Sequence, residues 1–337
     1  MATMPTSRID FSDAPPLRWG VVGTGAIAGA FVDAARAHTR QRPCVVTARD
    51  PDRTAAFAAA HGLRAVASVD RLVCDEDVDV VYIATPHPSH AAIAEAAIAQ
   101  RKPVLIEKPF AMTAEEARRV IGSAREAGVL VMEAMWTRYL PQTDVVRQIV
   151  ADGLLGDVRA VTADFGFAMP YEPGHRLWDP ALGGGALLDA GVYPISFATM
   201  ILGAPSTVEA HGRRAPSGVD SHVALRLEHA GGAESLLLTS LELSTPTMAA
   251  VMGTRGNVRV HAPFWGQSGI TLTTGGVRDA RTVEWVDATY PTPHDALGYQ
   301  ADAVASYVAR GLLESPLHPL DEVVATLAVI EQASGRF

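Results

Sequence analysis

The sequence predicts an α/β protein: an N-terminal doubly wound parallel sheet, then a C-terminal α+β domain with an open, mostly antiparallel sheet. Three observations predict it. From residue 17 to about 136, short apolar runs alternate with helical stretches, the rhythm of parallel strands joined by crossover helices. The first strand runs straight into a glycine-rich turn, Gly23-Thr24-Gly25-Ala26-Ile27-Ala28. After Pro141 the rhythm changes, and from 206 to about 286 one strand-like run follows another.

The elements follow in order. LRWGVVG (17–23) is a buried-strand run, and AIAGAFVDAARAH (26–38) spaces its apolar residues as a helix does. CVVTAR (44–49) is a second strand, and DRTAAFAAAHG (52–62) a helix stopped by glycine. RAVAS is a short strand, and VDVVYIAT (78–85) is continuous and β-branched. HAAIAEAAIAQ (90–100) is helical, PVLIEK (103–108) a strand, TAEEARRVIGSAREAG (113–128) a helix and VLVMEA (129–134) a strand. Beyond Pro141, TDVVRQIVADGLLG forms one helix and VRAVTADFGFA (158–168) a long strand. A loop, MPYEPGHRLWDPALGGG, leads into the helix ALLDAGVYPISFATMILG. HVALRLEHA, ESLLLTSLEL, AAVMGT, NVRVHA and GITLTT then read as an antiparallel sheet with a helix on one face. Closing helices at about 294–310 and 319–333 are expected to pack back on the first domain. The expected division is a flexible tail at 1–16, a nucleotide domain at 17–137 and a substrate and oligomerisation domain at 138–337.

A chain of 337 residues suits two such domains. A 48% hydrophobic, 19% charged composition supplies two cores and excludes a disordered chain. The net charge of −9, without a basic cluster, argues against nucleic acid as a partner. Cys44 and Cys74 can form neither a disulfide framework nor a CxxC zinc site, which fits the reduced cytoplasm. The first 16 residues have no apolar core of a secretory signal. The stretch Ala190 to Pro205, broken by Pro194 and Gly203, reads as too short for a bilayer, so no membrane partner is expected. Of 28 basic residues, Lys102 and Lys108 alone are lysine. A lysine kept in so arginine-rich a chain suits a task guanidinium performs badly, such as releasing a proton.

The glycine turn fits a dinucleotide. Its first glycine permits the turn, its second lets backbone approach a pyrophosphate, and the helix that follows offers N–H donors and a positive dipole end. Past the second strand stand Arg49 and, one turn on, Arg53, which suit a 2′-phosphate and favour NADP; Asp50 leaves NAD open. Lys108 closes the fifth strand, at the edge where such sheets bind ligands, with Glu107 as a fold-stabilising partner. Asp189 and Tyr193, four residues apart, share a helix face, an acid and a phenol suited to moving a proton as a hydride leaves.

Five segments together resemble the glucose–fructose oxidoreductase / inositol dehydrogenase / rhizopine catabolism (Gfo/Idh/MocA) family: GTGAIA, TPHPSHAAIA, EKPF, EAMWTRYLP and GGGALLDAGVYPISF. The resemblance covers about residues 17 to 330. EAMWTRYLP and Tyr193 are most similar to the dimeric trans-dihydrodiol dehydrogenase / NADP-dependent D-xylose dehydrogenase group. Many relatives carry histidine where Tyr193 stands, which argues against inositol dehydrogenase itself. The family implies a Rossmann domain and a second domain whose open sheet makes a homodimer or homotetramer. It implies that Lys108, Asp189 and Tyr193 frame the substrate carbon, with His87 and His90 near the nicotinamide ribose. Thr85 and Glu107 join them on the cofactor side. The H-x-x-H spacing of those histidines also suits a metal, but no third ligand accompanies it, and none is expected.

For the substrate pocket the candidates are Trp136, Arg138, Phe167, Arg176 and Trp178, with Phe165, His175 and Trp265 in a wider set. Aromatic faces with interspersed donors suit a hydroxylated ring, a carbohydrate or a cyclic diol. The leading expectation is an NADP-dependent dehydrogenase acting on a secondary hydroxyl. An NAD-dependent glycoside hydrolase and a dinucleotide-sensing regulator remain as alternatives.

Overall fold

The computed structural model describes residues 4–276 and 278–337; the first three residues of the expected tail lie outside them. The chain divides into two compact units. One comprises Asp10–Trp136 and Pro291–Val323, the other Thr137–Tyr290 with the two chain ends.

The first unit holds six strands: β1 (Arg18–Val22), β2 (Arg42–Thr47), β3 (Arg64–Ala65), β4 (Val80–Ile83), β5 (Val104–Ile106) and β6 (Val131–Glu133). Their order is β3-β2-β1-β4-β5-β6, and every pair is parallel. β4 and β5 are buried at every residue, hence their unbroken apolar runs in the sequence. The crossover helices are α1 (Ala26–His38), α2 (Pro51–His61), α3 (Val69–Val73), α4 (His90–Ala99) and α5 (Ala114–Ala127). Helix ends follow local chemistry. Asp50 caps α2, Ser68 α3 and Thr113 α5, while Gly62 and Gly128 close α2 and α5 in the left-handed region. Phe31 of α1 stacks on Tyr82 of β4, with ring centroids 4.0 Å apart.

In the second unit, α6 (Pro141–Ala151) precedes β7 (Val158–Gly166), and α7 (Val192–Leu202) lies over β7 and β10. The further strands are β8 (Thr207–Arg214), β9 (Asp220–Glu228), β10 (Glu234–Ser240), β11 (Ala249–Gly253), β12 (Gly256–Val260), β13 (Gly269–Thr274) and β14 (Arg281–Val286). Their order is β14-β13-β12-β11-β7-β10-β9-β8. The sheet is antiparallel except where β7 and β10 run parallel at its centre. β8 and β14, which the sequence reading did not single out, are its two edges. β14 is exposed at five of six residues and so carries no apolar period.

Two expectations are corrected here. The helix from 186 to 202 is not α throughout: Leu187–Gly191 forms a π turn that runs directly into α7. Pro194 has no N–H for an α-type bond to Ala190, and a widened turn tolerates that loss. The spacing of Asp189 and Tyr193 is therefore set by the π turn and not by an α-helix alone. The segment Pro180–Leu202 is also long and apolar enough by composition to cross a bilayer, but most of it is buried as a core helix.

Among its described residues, the expected flexible tail is hydrogen-bonded at two places. Arg8 N donates to Asp144 Oδ2 at 2.6 Å, and the Arg40 guanidinium donates to the carbonyls of Ser12 and Ala14. Within the six-stranded unit α8 (Leu297–Ala309) packs on α1. Its Asp302 accepts from Gln41 Nε2 at 2.9 Å, and Gln41 Oε1 accepts from Leu17 N and Trp19 Nε1. A last helix, α9 (Leu320–Ser334), crosses the boundary between the units.

Candidate active site

Parallel pairing sends the C-terminal ends of β1, β4 and β5 to one edge. Gly23 follows β1 directly, and Thr85 and Lys108 stand two residues past β4 and β5. Lys102 starts β5 at the opposite edge, where its Nζ donates to the carbonyls of Asp75 and Val78.

Gly23 has φ +119°, and a Cβ there would lie 2.3 Å from the Ala84 carbonyl oxygen, so the turn excludes every side chain. Gly25 differs. It caps α1 at φ −79°, and a Cβ there would meet no protein atom within 4 Å. No side chain caps α1, and its first turn holds no acid. The first N–H groups of α1 and its positive end therefore face open space, flanked by Thr24, Ala26 and Ile27, an arrangement that fits an anionic pyrophosphate.

Past β2, Asp50 spends one carboxylate oxygen as the cap of α2, accepting from Asp52 N and Arg53 N at 3.0 Å each. Arg49 and Arg53 are exposed beside it.

The turns after β4 and β5 are braced from below. His90 is fully buried, its Nδ1 2.9 Å from the Pro109 carbonyl and its Nε2 2.8 Å from that of Thr85. Burial holds the imidazole below the usual histidine range, against the two carbonyls, which favour the charged ring. His90 thus sits between the two turns, each ring nitrogen against a carbonyl, and a neutral ring donates to one of them. His87 lies above it, ring centroids 5.7 Å apart. Thr85 Oγ1 accepts from Ser89 Oγ.

Glu107 is likewise buried, and its Oε1 accepts from Tyr82 Oη at 2.6 Å while Oε2 accepts from Lys108 N. Burial pushes its carboxyl up to about 7, against the Tyr82 hydrogen bond and the neighbouring ammonium. Its engagement corrects the expectation of a cofactor contact and matches the bracing role the sequence also suggested. Lys108 itself is half-buried.

In the eight-stranded unit, Gly185 has φ +119°, and a Cβ there would lie 2.5 Å from Asp220 Oδ1. Asp220 Oδ2 accepts from Leu187 N at 2.6 Å and so fixes the start of the π turn; burial raises its carboxyl. The turn carries Asp189, whose Oδ1 lies 3.0 Å from Nη1 of Arg176, a side chain half exposed to solvent. Tyr193 joins an aromatic group centred on Phe165, which stacks on Trp265 at 5.5 Å and meets Tyr193 at 5.5 Å and Phe167 at 5.9 Å.

Other expected pocket residues are elsewhere. Trp178 belongs to a core cluster with Leu177, Ala186, Val219 and Leu241, and its Nε1 donates to the Pro170 carbonyl. Arg138 is buried, donating to Ser196 Oγ and to the Ser196 carbonyl. Both are corrected from pocket lining to packing, because their polar atoms are spent on backbone and core partners. Trp136, in the six-stranded unit, is buried and stacks on His294 at 5.8 Å. His175 Nδ1 accepts from Leu177 N. Among the described residues no three His, Cys, Asp or Glu side chains cluster as metal ligands.

Sequence reasoning missed Tyr82, Asp220, Glu133 and His318. Glu133 did leave a signal, an acid closing an apolar strand.

Comparisons with known proteins agree with this fold. Residues 17–135 match the model of an oxidoreductase family with an NAD-binding Rossmann fold, and residues 143–259 match the GFO/IDH/MocA C-terminal domain. The chain is 34% identical to trans-1,2-dihydrobenzene-1,2-diol dehydrogenase of Mus musculus, over 94% of this chain and 96% of the relative. Against that of Homo sapiens the identity is 34%, over 94% and 95%. A 3-ketoreductase from Actinomadura kijaniata, solved in complex with NADP and TDP-benzene, superposes with a TM-score of 0.82 at 26% identity, covering 95% of this chain and 97% of that one. The same ketoreductase has also been solved with one lysine or one tyrosine substituted.

Proposed function

Because the chain belongs to the Gfo/Idh/MocA oxidoreductase family, and is a sugar or diol oxidoreductase with a nucleotide-binding Rossmann unit, we propose that it uses NADP and acts on a secondary hydroxyl, or the matching ketone, of a sugar or cyclic diol. The observation that carries the choice of nucleotide is the capping by Asp50. An acid that binds a ribose 2′-hydroxyl needs free carboxylate oxygens aimed outward. Here one oxygen is committed to two backbone N–H groups, and the exposed charges beside it are Arg49 and Arg53. Guanidinium groups suit a phosphate.

Bound at the start of α1, the nicotinamide dinucleotide would accept or return a hydride. The chain's own residues supply the rest. The α1 N–H groups hold the pyrophosphate. Lys108 and Tyr193 are the groups able to move the hydroxyl proton, and Arg176 holds Asp189 in place by an ion pair. The Phe165, Tyr193 and Trp265 rings offer apolar faces to a hydroxylated ring. We also propose a homo-oligomer through the outer face of the eight-stranded sheet, where Leu236 is 52% exposed.

The test is a panel of aldoses, cyclic diols and keto-sugars with both nucleotides, read at the nicotinamide absorbance. Turnover with NADP and a lower Kd for NADPH than for NADH are expected. A preference for NADH would overturn the nucleotide assignment. Tightly held nucleotide with glycoside cleavage and no net absorbance change would overturn the dehydrogenase reading.

A further inference from the structure

We propose that His318 is a positioning residue for Lys108, acting through Glu133 and the backbone of the turn that follows β5. The proposal rests on Lys108 handling the substrate proton.

The segment between α8 and α9 lies along the free edge of β6, where Val131 N donates to the Leu313 carbonyl at 3.1 Å. Ser315 Oγ accepts from Leu317 N and His318 N, which folds the segment back. That fold drives His318 inward until its side chain is wholly buried, with Nε2 2.7 Å from Glu133 Oε2. Glu133 is itself 2% exposed, and its other oxygen, Oε1, accepts from Phe110 N at 2.8 Å. Phe110 is two residues beyond Lys108. Between them, the Pro109 carbonyl faces His90 Nδ1.

The 108–110 turn is thus held on two sides: by His90 at a carbonyl and by Glu133 at an N–H. The His90 contact comes from α4, next to the turn in the sheet. The Glu133 contact depends on a histidine 185 residues away in sequence. A carboxylate in so dry a place has no water to turn to, and it stays aimed only while its donors hold it. Take away the His318 donor and the carboxylate is free to swing. Its grip on Phe110 N then weakens, and the backbone carrying Lys108 gains freedom. Chemistry that depends on a near-attack geometry is sensitive to shifts of about 1 Å. The other charged or titratable groups near this pair are Lys108, Glu107, His90 and Glu322, whose Oε2 lies 4.0 Å from His318 Nδ1.

The lysine content supplies a test that needs no substrate. Lys102 and Lys108 are the chain's two lysines, so an amine-reactive reagent labels two side chains, and peptide masses report each rate separately. Lys102 is an internal control at the far edge of the sheet. In the full-length protein, His318→Leu should change the Lys108 labelling rate about threefold or more and leave Lys102 unchanged; His318→Gln, which keeps a donor near the Nε2 position, should stay within about twofold of the parent, as expected where one buried hydrogen bond decides the shift. In turnover, His318→Leu should lower kcat about tenfold at unchanged KM for the nucleotide, with His318→Gln restoring most of it. If His318→Leu does not fold, Ser315→Ala, which loosens the same segment without stranding a charge, should move Lys108 labelling about twofold in the same direction. Unchanged Lys108 labelling overturns the proposal. So does an equal change at both lysines, which would make the pair a support of the whole unit. A parent protein inactive on every substrate would count against the function proposed above, while the labelling would still decide the role of His318.

Discussion

Gly25 and Gly185 each stand at the entry to a helix, one in each unit, and they are glycine for opposite reasons. Gly25 has an ordinary φ of −79° and open space where its side chain would be. Gly185 has φ +119° and an Asp220 oxygen 2.5 Å from its missing Cβ. The first leaves room for something that is not protein; the second is demanded by the protein itself. The arginines divide the same way. Arg49 and Arg53 stand exposed past β2, whereas Arg138 is buried with its guanidinium spent on Ser196. In the six-stranded unit, a residue just beyond a strand end stands at the binding edge by topology. In the eight-stranded unit no such rule operates, and residue type alone does not separate pocket from core.

The largest effect should come from the proton-handling groups, one in each unit. Lys108→Arg keeps the charge and loses the ability to release a proton, and Tyr193→Phe removes the phenol. Each should lower kcat by about 10²-fold or more, with nucleotide Kd little changed. Steady-state kinetics and nucleotide titration check this. If Lys108→Arg keeps most activity, the lysine is an electrostatic anchor and Tyr193 alone moves the proton.

The two glycines sharpen the contrast next. Gly25→Val should abolish nucleotide binding while Tm stays close to the parent value, because the side chain enters space that no protein atom fills. Gly185→Ala should do the reverse, lowering stability by about 1–3 kcal/mol through backbone strain and the clash with Asp220, with nucleotide affinity kept. Calorimetry and titration on both variants decide it, and a Gly25→Val protein that still binds NADPH would place the nucleotide elsewhere. Arg49→Ala is the finer probe of the same unit. It should weaken NADPH by about 1.5–3 kcal/mol and leave NADH nearly unaffected.

How far the sequence could be read follows the same line. β4 and β5 were legible because buried parallel strands are unbroken apolar runs. β8 and β14 were not: β8 buries only Val208 and Ala210 before running into His211, Gly212 and two arginines, and β14 is exposed at five of six residues. The glycine turn before α1 was legible from motif and order, and the same motifs put forward Lys108, Asp189 and Tyr193 as candidates. The π turn was not, since its hydrogen-bond shift leaves no periodic mark beyond Pro194. Trp178 and Arg138 looked like pocket residues because chemistry that recognises a sugar also satisfies a core. Glu133 and His318 were hidden by the sequence distance between them, which only the folded chain closes.

The smallest effect concerns where the six-stranded unit ends in sequence. Asp302 lies on α8, after the whole eight-stranded sheet, yet hydrogen-bonds Gln41 beside β2. Burial pushes its carboxyl up to about 6, against the Gln41 hydrogen bond and the Arg40 charge, from an unfolded value of 3.8. A folded pKa above the unfolded one means that the folded chain binds the proton more tightly. The group therefore favours folding most below about pH 4, and that contribution is lost as pH rises through about 6. Asp302→Asn keeps an acceptor for Gln41 and carries no charge to bury. It should stabilise the protein by about 1–2 kcal/mol at pH 7.5, a figure reduced for partial solvent screening, and the gain should vanish near pH 4. Denaturant melts at the two pH values measure it. A gain equal at both would mean that Asp302 is not the titrating group, and a loss at both would mean that α8 needs the carboxylate to hold Gln41.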